Sequence, residues 1–330
     1  MDTQAEFTAL VERHRHELRV HCYRMVGSFE ESEDLVQETF LRAWRAREQC
    51  QSPATVRAWL YRIATNASLD AITARPQDRQ VAVTGDGART SEVSWLQPYP
   101  DHLLDLAAPS AEEPDAVVLA RETIELAYLV ALQHLPARQR AVLVLRDVVG
   151  QPATEVAKTL GSTTASVNSA LQRARATLRE YLPAKRGEWS AAGPTAAEKE
   201  VLARFVAATD SSDLAAFGEL LHLDALQTMP PEPFWQQGRE DLLESWGKVM
   251  SGPESWGQWR ALPTFVNRQP ALANYVRKPG EDHFRVVALD VLRVHEGQVA
   301  EVSTFGPEWV TACGLPEQLP TFVADRADFG

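Results

Sequence analysis

The side chains in this sequence that are best placed to do chemistry are recognition groups. Thr164, Ser166, Asn168, Ser169, Gln172 and Arg173 are spaced around an apolar helical stripe of Val167, Leu171 and Leu178. With that stripe turned inward, hydroxyl, amide and guanidinium groups project outward, a set sized for base edges in a major groove. Arg175 and Arg179, followed by Lys185 and Arg186, supply charge for phosphates, which fix a helix on a duplex without reading its sequence. Upstream, Thr154 to Leu160 reads as a shorter helix; Gly161 can take the positive φ of a helix end and Ser162 can cap the next helix. Residues 153–179 therefore form a helix-turn-helix, with an ordinary helical hairpin carrying solvated basic groups as the plain alternative.

A second group interleaves Arg57, Trp59, Tyr61, Arg62, Thr65 and Asn66. Guanidinium groups neutralise a backbone while aromatic faces and amides receive unstacked bases, which is the chemistry of single-strand capture. Packing is the competing use of Trp59, which shares a stripe with Val56, Leu60, Ile63 and Ala67. A third candidate is Asp290, alternating onto one strand face with Phe284, Val286, Ala288, Leu292 and Val294 as a carboxylate among apolar neighbours. A basic partner or a bulge toward solvent would account for it equally well. Cys22, Cys50 and Cys313 lie far apart without CxxC spacing, so reduced thiols are expected, with no metal and no cofactor.

Three helices position the single-strand group. The first is expected from about Phe7 to Val26, ending at Gly27; the second is capped by Ser28 and opens on Glu30, Glu31, Glu33 and Asp34; the third starts at Ser52-Pro53. Periodicity fails between Pro76 and Pro114, where Gly85-Asp86-Gly87 and prolines mark a linker. Within it, Trp95, Leu96, Pro98 and Tyr99 are too apolar for a spacer and read as a docking peptide. Helical periodicity returns through Leu182, and a second linker ends at Gly193-Pro194 and Thr195.

After it come helices over about 196–209, 212–221 and 239–249, with His222 and Asp224 at a helix end. Strands follow over 257–266, 271–277, 283–294 and 298–305, with turns at Pro279-Gly280 and Glu296-Gly297. This is an α+β domain built on an antiparallel meander.

The formal net charge of −12 hides its distribution. Residues 151–186 hold six Lys/Arg against two Asp/Glu, whereas residues 187–330 hold eleven against twenty-one. The helix-turn-helix suits phosphates and the last third repels them. No apolar run approaches the roughly 20 residues of a membrane span. Glu6, Glu12, Arg13, Arg15 and Glu17 interrupt the start where a signal peptide needs an apolar core. A cytoplasmic protein without membrane contact is expected.

Taken together, the motifs resemble a known family. Cys22 to Gly27, Glu33 to Trp44 and Trp59 to Asn66 are similar to region two of sigma-70 factors of the extracytoplasmic-function class, and Leu135-Pro136 through Ala176 to region four. Residues 95–101, with Met229-Pro230-Pro231, Trp259-Arg260, Asn267, Gln269-Pro270 and Tyr275, resemble the sigma-G subgroup carrying a SnoaL-like domain of the NTF2-like fold.

The resemblance implies a multidomain chain: two all-α domains, region two at 1–75 and region four at 113–186, joined by linker 76–112. Linker 187–195 then leads to a C-terminal α+β domain at 196–330. It implies partners in core RNA polymerase, through its largest and second-largest subunits, and in promoter DNA. Asp34, Leu35, Gln37, Glu38 and Arg42 would dock on the polymerase. The Trp59 to Asn66 segment would meet the unwound minus-ten element, and the recognition helix the minus-thirty-five duplex. The C-terminal domain would regulate, with Trp259 and Tyr275 joining Asp290 in a pocket for a small-molecule ligand, and no enzyme activity is required. Trp95 and Tyr99 are expected to pack on that domain. Two other readings stay open: a ligand-sensing helix-turn-helix regulator, which leaves the first helical block without a purpose, and a SnoaL-like enzyme fused to a DNA-binding module.

Overall fold

The structure, a computed structural model, describes residues 4–50, 55–75, 93–106, 124–182 and 194–321. Ser52-Pro53, Gly85-Asp86-Gly87, Lys185, Arg186 and the second linker up to Gly193 lie outside the described residues. The chain divides into two compact units, one of Met1–Gln97 with Leu103–Ala191 and one of Pro98–His102 with Ala192–Gly330.

The first unit is helical. Its opening segment is two helices, α1 (Gln4–Glu12) and α2 (Arg15–Val26), in place of the single helix expected to Val26. The break at Arg13-His14 falls in a polar run with no buried side chain to hold it, and it lets Phe7 of α1 meet Trp44 edge-on at 5.5 Å between ring centroids. Gly27 adopts φ 74° at the end of α2. Ser28 caps α3 (Phe29–Arg45) by accepting from the Glu31 amide. The helix buries Leu35, Val36, Thr39 and Ala43 toward α2 and α4 (Val56–Ala74). After the short α5 (Asp101–Asp105), whose first two residues belong to the second unit, come α6 (Leu126–Gln133), α7 (Ala137–Leu143), a π-helical turn at Val144–Val148, α8 (Ala153–Thr159) and α9 (Thr164–Tyr181).

The cap of α9 is Thr163, whose oxygen accepts from the Ser166 amide at 3.1 Å, where Ser162 was expected. Ser162 still belongs to the previous helix: its amide donates back to the Ala157 carbonyl at 2.9 Å while Gly161 sits at φ 56°. The extended residue that opens the next helix is therefore one position later.

The two helical blocks pack as one unit, with α2 against α6 and α4 against α7 and α8. The C-terminal carbonyls of α2, which have no partners within their own helix, organise this packing. Arg140 of α7 donates to the Met25 carbonyl. The Val26 carbonyl accepts from the Trp95 indole and from Arg75, each at 2.8 Å, and the Gly27 carbonyl accepts from the Gln97 amide at 3.0 Å. Trp95 thus packs within the first unit, which corrects the expectation that it packs on the C-terminal domain.

The second unit opens with α10 (Ala196–Ser211), started by a capping box of Thr195 and Glu198, and α11 (Leu214–Leu220), capped by Asp213. Strands β1 (Leu221–Thr228) and β2 (Trp235–Gln237) precede α12 (Arg239–Met250). Then follow β3 (Gln258–Val266), β4 (Gln269–Arg277), β5 (His283–His295), β6 (Gln298–Phe305), α13 (Glu308–Ala312) and β7 (Gln318–Pro320). The sheet order is β2-β1-β6-β5-β4-β3, with β7 beside β5. The expected meander is β3 to β6, but β1 runs parallel to β6 and makes the sheet mixed. His222 and Asp224 therefore lie on a strand and not at a helix end. The β1 sequence hid this, because exposed Leu223 breaks the alternation that marks strands. Phe205, Phe217, Leu242, Leu272, Leu292 and Val302 form the core beneath the helices.

Asn267 and Arg268 connect β3 to β4 with φ 54° and 61°, a two-residue turn that non-glycine residues rarely adopt. It is braced by the segment Pro98–His102: the Tyr99 amide donates to Asn267 Oδ1 at 2.8 Å, and Asn267 donates back to the Tyr99 carbonyl at 3.0 Å. Asp101 accepts from the Arg268 amide at 2.8 Å and from its guanidinium at 3.3 Å. The apolar linker motif is thus shared, Trp95 and Leu96 buried in the first unit and Pro98 and Tyr99 in the second.

Candidate functional site

The recognition helix α9 is held by Val167, Leu171, Ala174 and Leu178, all buried. Thr164, Ser166, Asn168, Ser169, Gln172, Arg173 and Arg175 are all exposed, so the seven expected contact residues share the solvent side. Arg175 is engaged by a carboxylate: its guanidinium grips Asp147 through two bonds, Nε to Oδ2 at 2.8 Å and Nη2 to Oδ1 at 2.6 Å. That bidentate fork crosses from α9 to the π-helical turn and holds Arg175 pointing outward.

Helix α4 divides its candidates. Arg57 and Arg62 are exposed and Asn66 is half-buried, whereas Trp59, Tyr61 and Thr65 are buried. The Thr65 hydroxyl faces His21 Nε2 at 2.9 Å and donates to the Tyr61 carbonyl at 2.7 Å. Burial holds His21 well below its ordinary value, at about 3, so this ring is neutral. Glu17, on α2, gathers the open end of the face: its carboxylate accepts from Arg57 at 2.9 Å and from the Tyr61 hydroxyl at 3.1 Å, with His14 on its other oxygen at 2.5 Å. Burial and the neighbouring Glu17 charge push the Tyr61 hydroxyl upward, so it remains a donor.

On α3, Asp34 and Gln37 are exposed and Glu38 is half-buried, while Leu35 is buried in the core. Arg42 is pinned between Glu38 and Asp70, each at 2.7 Å. Sequence reasoning missed Leu41, which is 52% exposed on the same stripe as Asp34 and Gln37. Its signal was available: an apolar residue at helical spacing with an acidic and an amide neighbour, off the core stripe.

In the second unit, Trp259 and Asp290 lie on the helix-covered face and Tyr275 does not join them. Asn274 and Tyr275 are consecutive on β4, so their side chains leave opposite faces, and the Tyr275 hydroxyl donates to the Pro316 carbonyl at 2.7 Å. Trp259 donates to the Val249 carbonyl and stacks on Trp256. Asp290 instead meets Asn274 and Thr304, at 2.6 and 2.7 Å. Burial raises its pKa to about 6 against the opposing pull of those two donors. Among the described residues no group of three His, Cys, Asp or Glu side chains stands where it could hold a metal, and no helix is long and apolar enough to cross a membrane.

A helix-turn-helix with an open polar face, a second helical block packed beside it and a fused α+β domain define a DNA-binding transcription protein. Three family profiles match the chain: Sigma-70 region 2 over residues 10–76, Sigma-70, region 4 over residues 125–178 and a SnoaL-like domain over residues 202–302. It is 39% identical to the ECF RNA polymerase sigma factor SigG of Mycobacterium tuberculosis over 96% of this chain and 86% of that protein. It is 32% identical to the ECF RNA polymerase sigma factor SigJ of the same organism over 68% of this chain and 64% of that one. The crystal structure of Mycobacterium tuberculosis SigJ matches with a TM-score of 0.58 at 25% identity, covering 96% of this chain and 100% of that chain. The chain belongs to the extracytoplasmic-function RNA polymerase sigma factors.

Proposed function

We propose that this sigma factor directs core RNA polymerase to promoters through the exposed face of α9 on the minus-thirty-five duplex and Arg57, Arg62 and Asn66 on the unwound minus-ten strand. Trp59, Tyr61 and Thr65 act there as the packed support that holds α4 straight. Asp34, Gln37 and Glu38, joined by Leu41, form the polymerase-facing stripe of α3, with Leu35 and Arg42 fixing it from behind. Contacts with both the largest and the second-largest subunit follow from using two modules and the intervening linker.

The single observation that carries this reading is the face of α9, where every candidate side chain is exposed while Val167, Leu171, Ala174 and Leu178 are covered. The packing of the two blocks adds a condition. Elements at minus ten and minus thirty-five are separated by about 85 Å of duplex, at roughly 3.4 Å per base pair. A compact unit the size of the first has a radius of gyration of about 16 Å. The blocks must therefore part before both elements are read.

The second unit is regulatory and not catalytic in this reading, acting through the shared Trp95 to Tyr99 segment. Co-purification with core polymerase tests the proposal, followed by gel shifts with promoter duplex. The expected result is a shift only when core polymerase is present. Tight, sequence-specific binding by the chain alone would assign it instead to the ligand-sensing regulators.

A further inference from the structure

Asp290 ends a chain of hydrogen bonds whose direction is fixed at its far end. An indole N–H can only donate. Trp246 Nε1 donates to Gln227 Oε1 at 2.9 Å, so the Gln227 amide must turn its nitrogen the other way, where it donates to Thr304 Oγ1 at 3.2 Å. With its oxygen accepting from Gln227, the Thr304 hydroxyl gives its own proton to Asp290 Oδ1 at 2.7 Å, and Asn274 Nδ2 donates to Oδ2 at 2.6 Å. Both neighbours present donors, so these two hydrogen bonds favour the ionised carboxylate against the opposing effect of burial. Two of its roughly four acceptor directions are filled.

No basic side chain answers that charge among the described residues. The charged groups on the elements packed around it pair with one another: Arg293 with Glu301, Lys248 with Glu244, Arg260 with Asp210 and Arg204 with Glu219. Arg293 and Glu301 stand three residues from Asp290 and Thr304, which puts them on the other side of the sheet. A half-buried carboxylate with hydrogen bonds but no cation beside it is a candidate site for a cationic partner.

The surroundings say which partner. Strand register places Leu272 opposite Asp290, and Ala261 and Ala288 on either side of Asn274, so small and apolar residues border the carboxylate. Asp290 and Ala288 are both half-buried, which leaves this part of the face reachable. Trp259, two residues before Ala261 on β3, adds an aromatic wall. The acidic balance of residues 187–330 favours cations over anions.

We propose that Asp290 anchors a small-molecule site in the second unit whose ligand is an organic cation, a protonated amine on an apolar body. The ammonium bonds the open oxygen lone pairs, and the body lies along half-buried Ala288, with buried Ala261 and Trp259 as the apolar backing behind it. The proposal deepens the regulatory reading of this unit and rests on it only for the consequence of binding; the binding itself is read apart from polymerase, so its failure leaves the sigma-factor assignment standing.

The test follows the Asp290 carboxyl carbon by NMR in the full chain while n-butylammonium is added at pH 7.5, with butyrate and n-butanol as isosteric controls. The expected result is a saturable shift with butylammonium alone and a lowered Asp290 titration midpoint when it is bound. Affinity should fall about tenfold at pH 5, where a group titrating near 6 is mostly protonated. In Asp290→Asn, thermal stabilisation by butylammonium should be lost. The proposal is overturned by an Asp290 signal that does not respond saturably, by an equal response to butyrate, or by a pH-independent affinity. None of these readouts requires the variant to fold.

Discussion

Replacing Arg140 with methionine isolates what holds the two helical blocks of the first unit together. The Arg140 side chain is buried and donates to the carbonyls of Met25, Gln133 and Leu135 and to the Gln133 side chain. Burial and the nearby Arg75 charge pull its pKa down to about 9, so the guanidinium is held there against a desolvation cost. Methionine fills most of the volume and removes every donor. Each buried carbonyl left without a partner costs about 1–3 kcal/mol, and relief of the buried charge returns part of that, giving a net loss of about 2–4 kcal/mol.

Gln133, Leu135 and Arg140 lie together around α6 and α7, whereas Met25 lies in the last turn of α2, so part of the loss falls on the tie between blocks. At about 1.4 kcal/mol per factor of ten, a loss of that size shifts the packed-to-parted ratio by tenfold or more. Urea unfolding should register the stability change. Spin labels at exposed Arg45 on α3 and Glu180 on α9 should register a second, longer distance population. Arg140→Lys keeps the charge without the planar reach and should lie between. A variant within 0.5 kcal/mol of the parent, or an unchanged distance distribution, would refute the reasoning.

The remaining predictions address separate parts of the molecule. Glu17→Gln should release Arg57 and Tyr61, steepen the salt dependence of promoter opening and change stability by about 1 kcal/mol, because Arg57 is exposed and Glu17 only partly buried; an unchanged salt slope would count against a role for Arg57 in strand contact. Gly257→Ala should destabilise the second unit by more than about 2 kcal/mol, since Gly257 has φ 133° and a Cβ would lie 2.3 Å from the Arg277 carbonyl oxygen; wild-type melting would contradict it. With Asp290 raised to about 6, the folded state binds this proton more tightly than the unfolded one, so its contribution to stability falls as pH rises from about 4 to about 6. Asp290→Asn should remove that slope in urea titrations. His21 works in the opposite direction: held near 3 when folded, its contribution is complete above pH 6.5 and is lost as pH falls.

Periodicity carried much of the fold. The stripes of α3, α4 and α9, the Gly27-Ser28 and Gly161 helix ends and the β3 to β6 meander are written in local spacing, which a sequence displays directly. What stayed hidden depends on distant partners. Trp95 reads as a docking residue, but the Val26 carbonyl that it satisfies lies sixty-nine residues away. The β1 strand pairs in parallel with β6 near the end of the chain, and Asn267-Arg268 makes a hairpin turn without glycine because Tyr99 and Asp101 brace it. The single-strand group was legible as chemistry and only partly as geometry: the apolar stripe offered packing for Trp59, but nothing in it set buried Tyr61 and Thr65 apart from exposed Arg57 and Arg62. At Asp290 the carboxylate was visible beside Ala288 and Leu292, but a register shift in β5 pairs Val286 with Tyr275 and so takes Phe284 and Val286 off that face, while Gln227 and Trp246, which fix its proton pattern, come from elements remote in sequence.

The central claim is that both helical blocks serve one promoter only on the polymerase. Run-off transcription from a genomic promoter library, reconstituted with core polymerase, tests it most directly. Specific transcripts are predicted with the full chain, with Arg62→Ala reducing strand opening by permanganate footprinting and Arg173→Ala reducing promoter selection before opening. Transcripts that do not depend on the added chain, or variants of both helices that leave start-site choice and opening untouched, would contradict it.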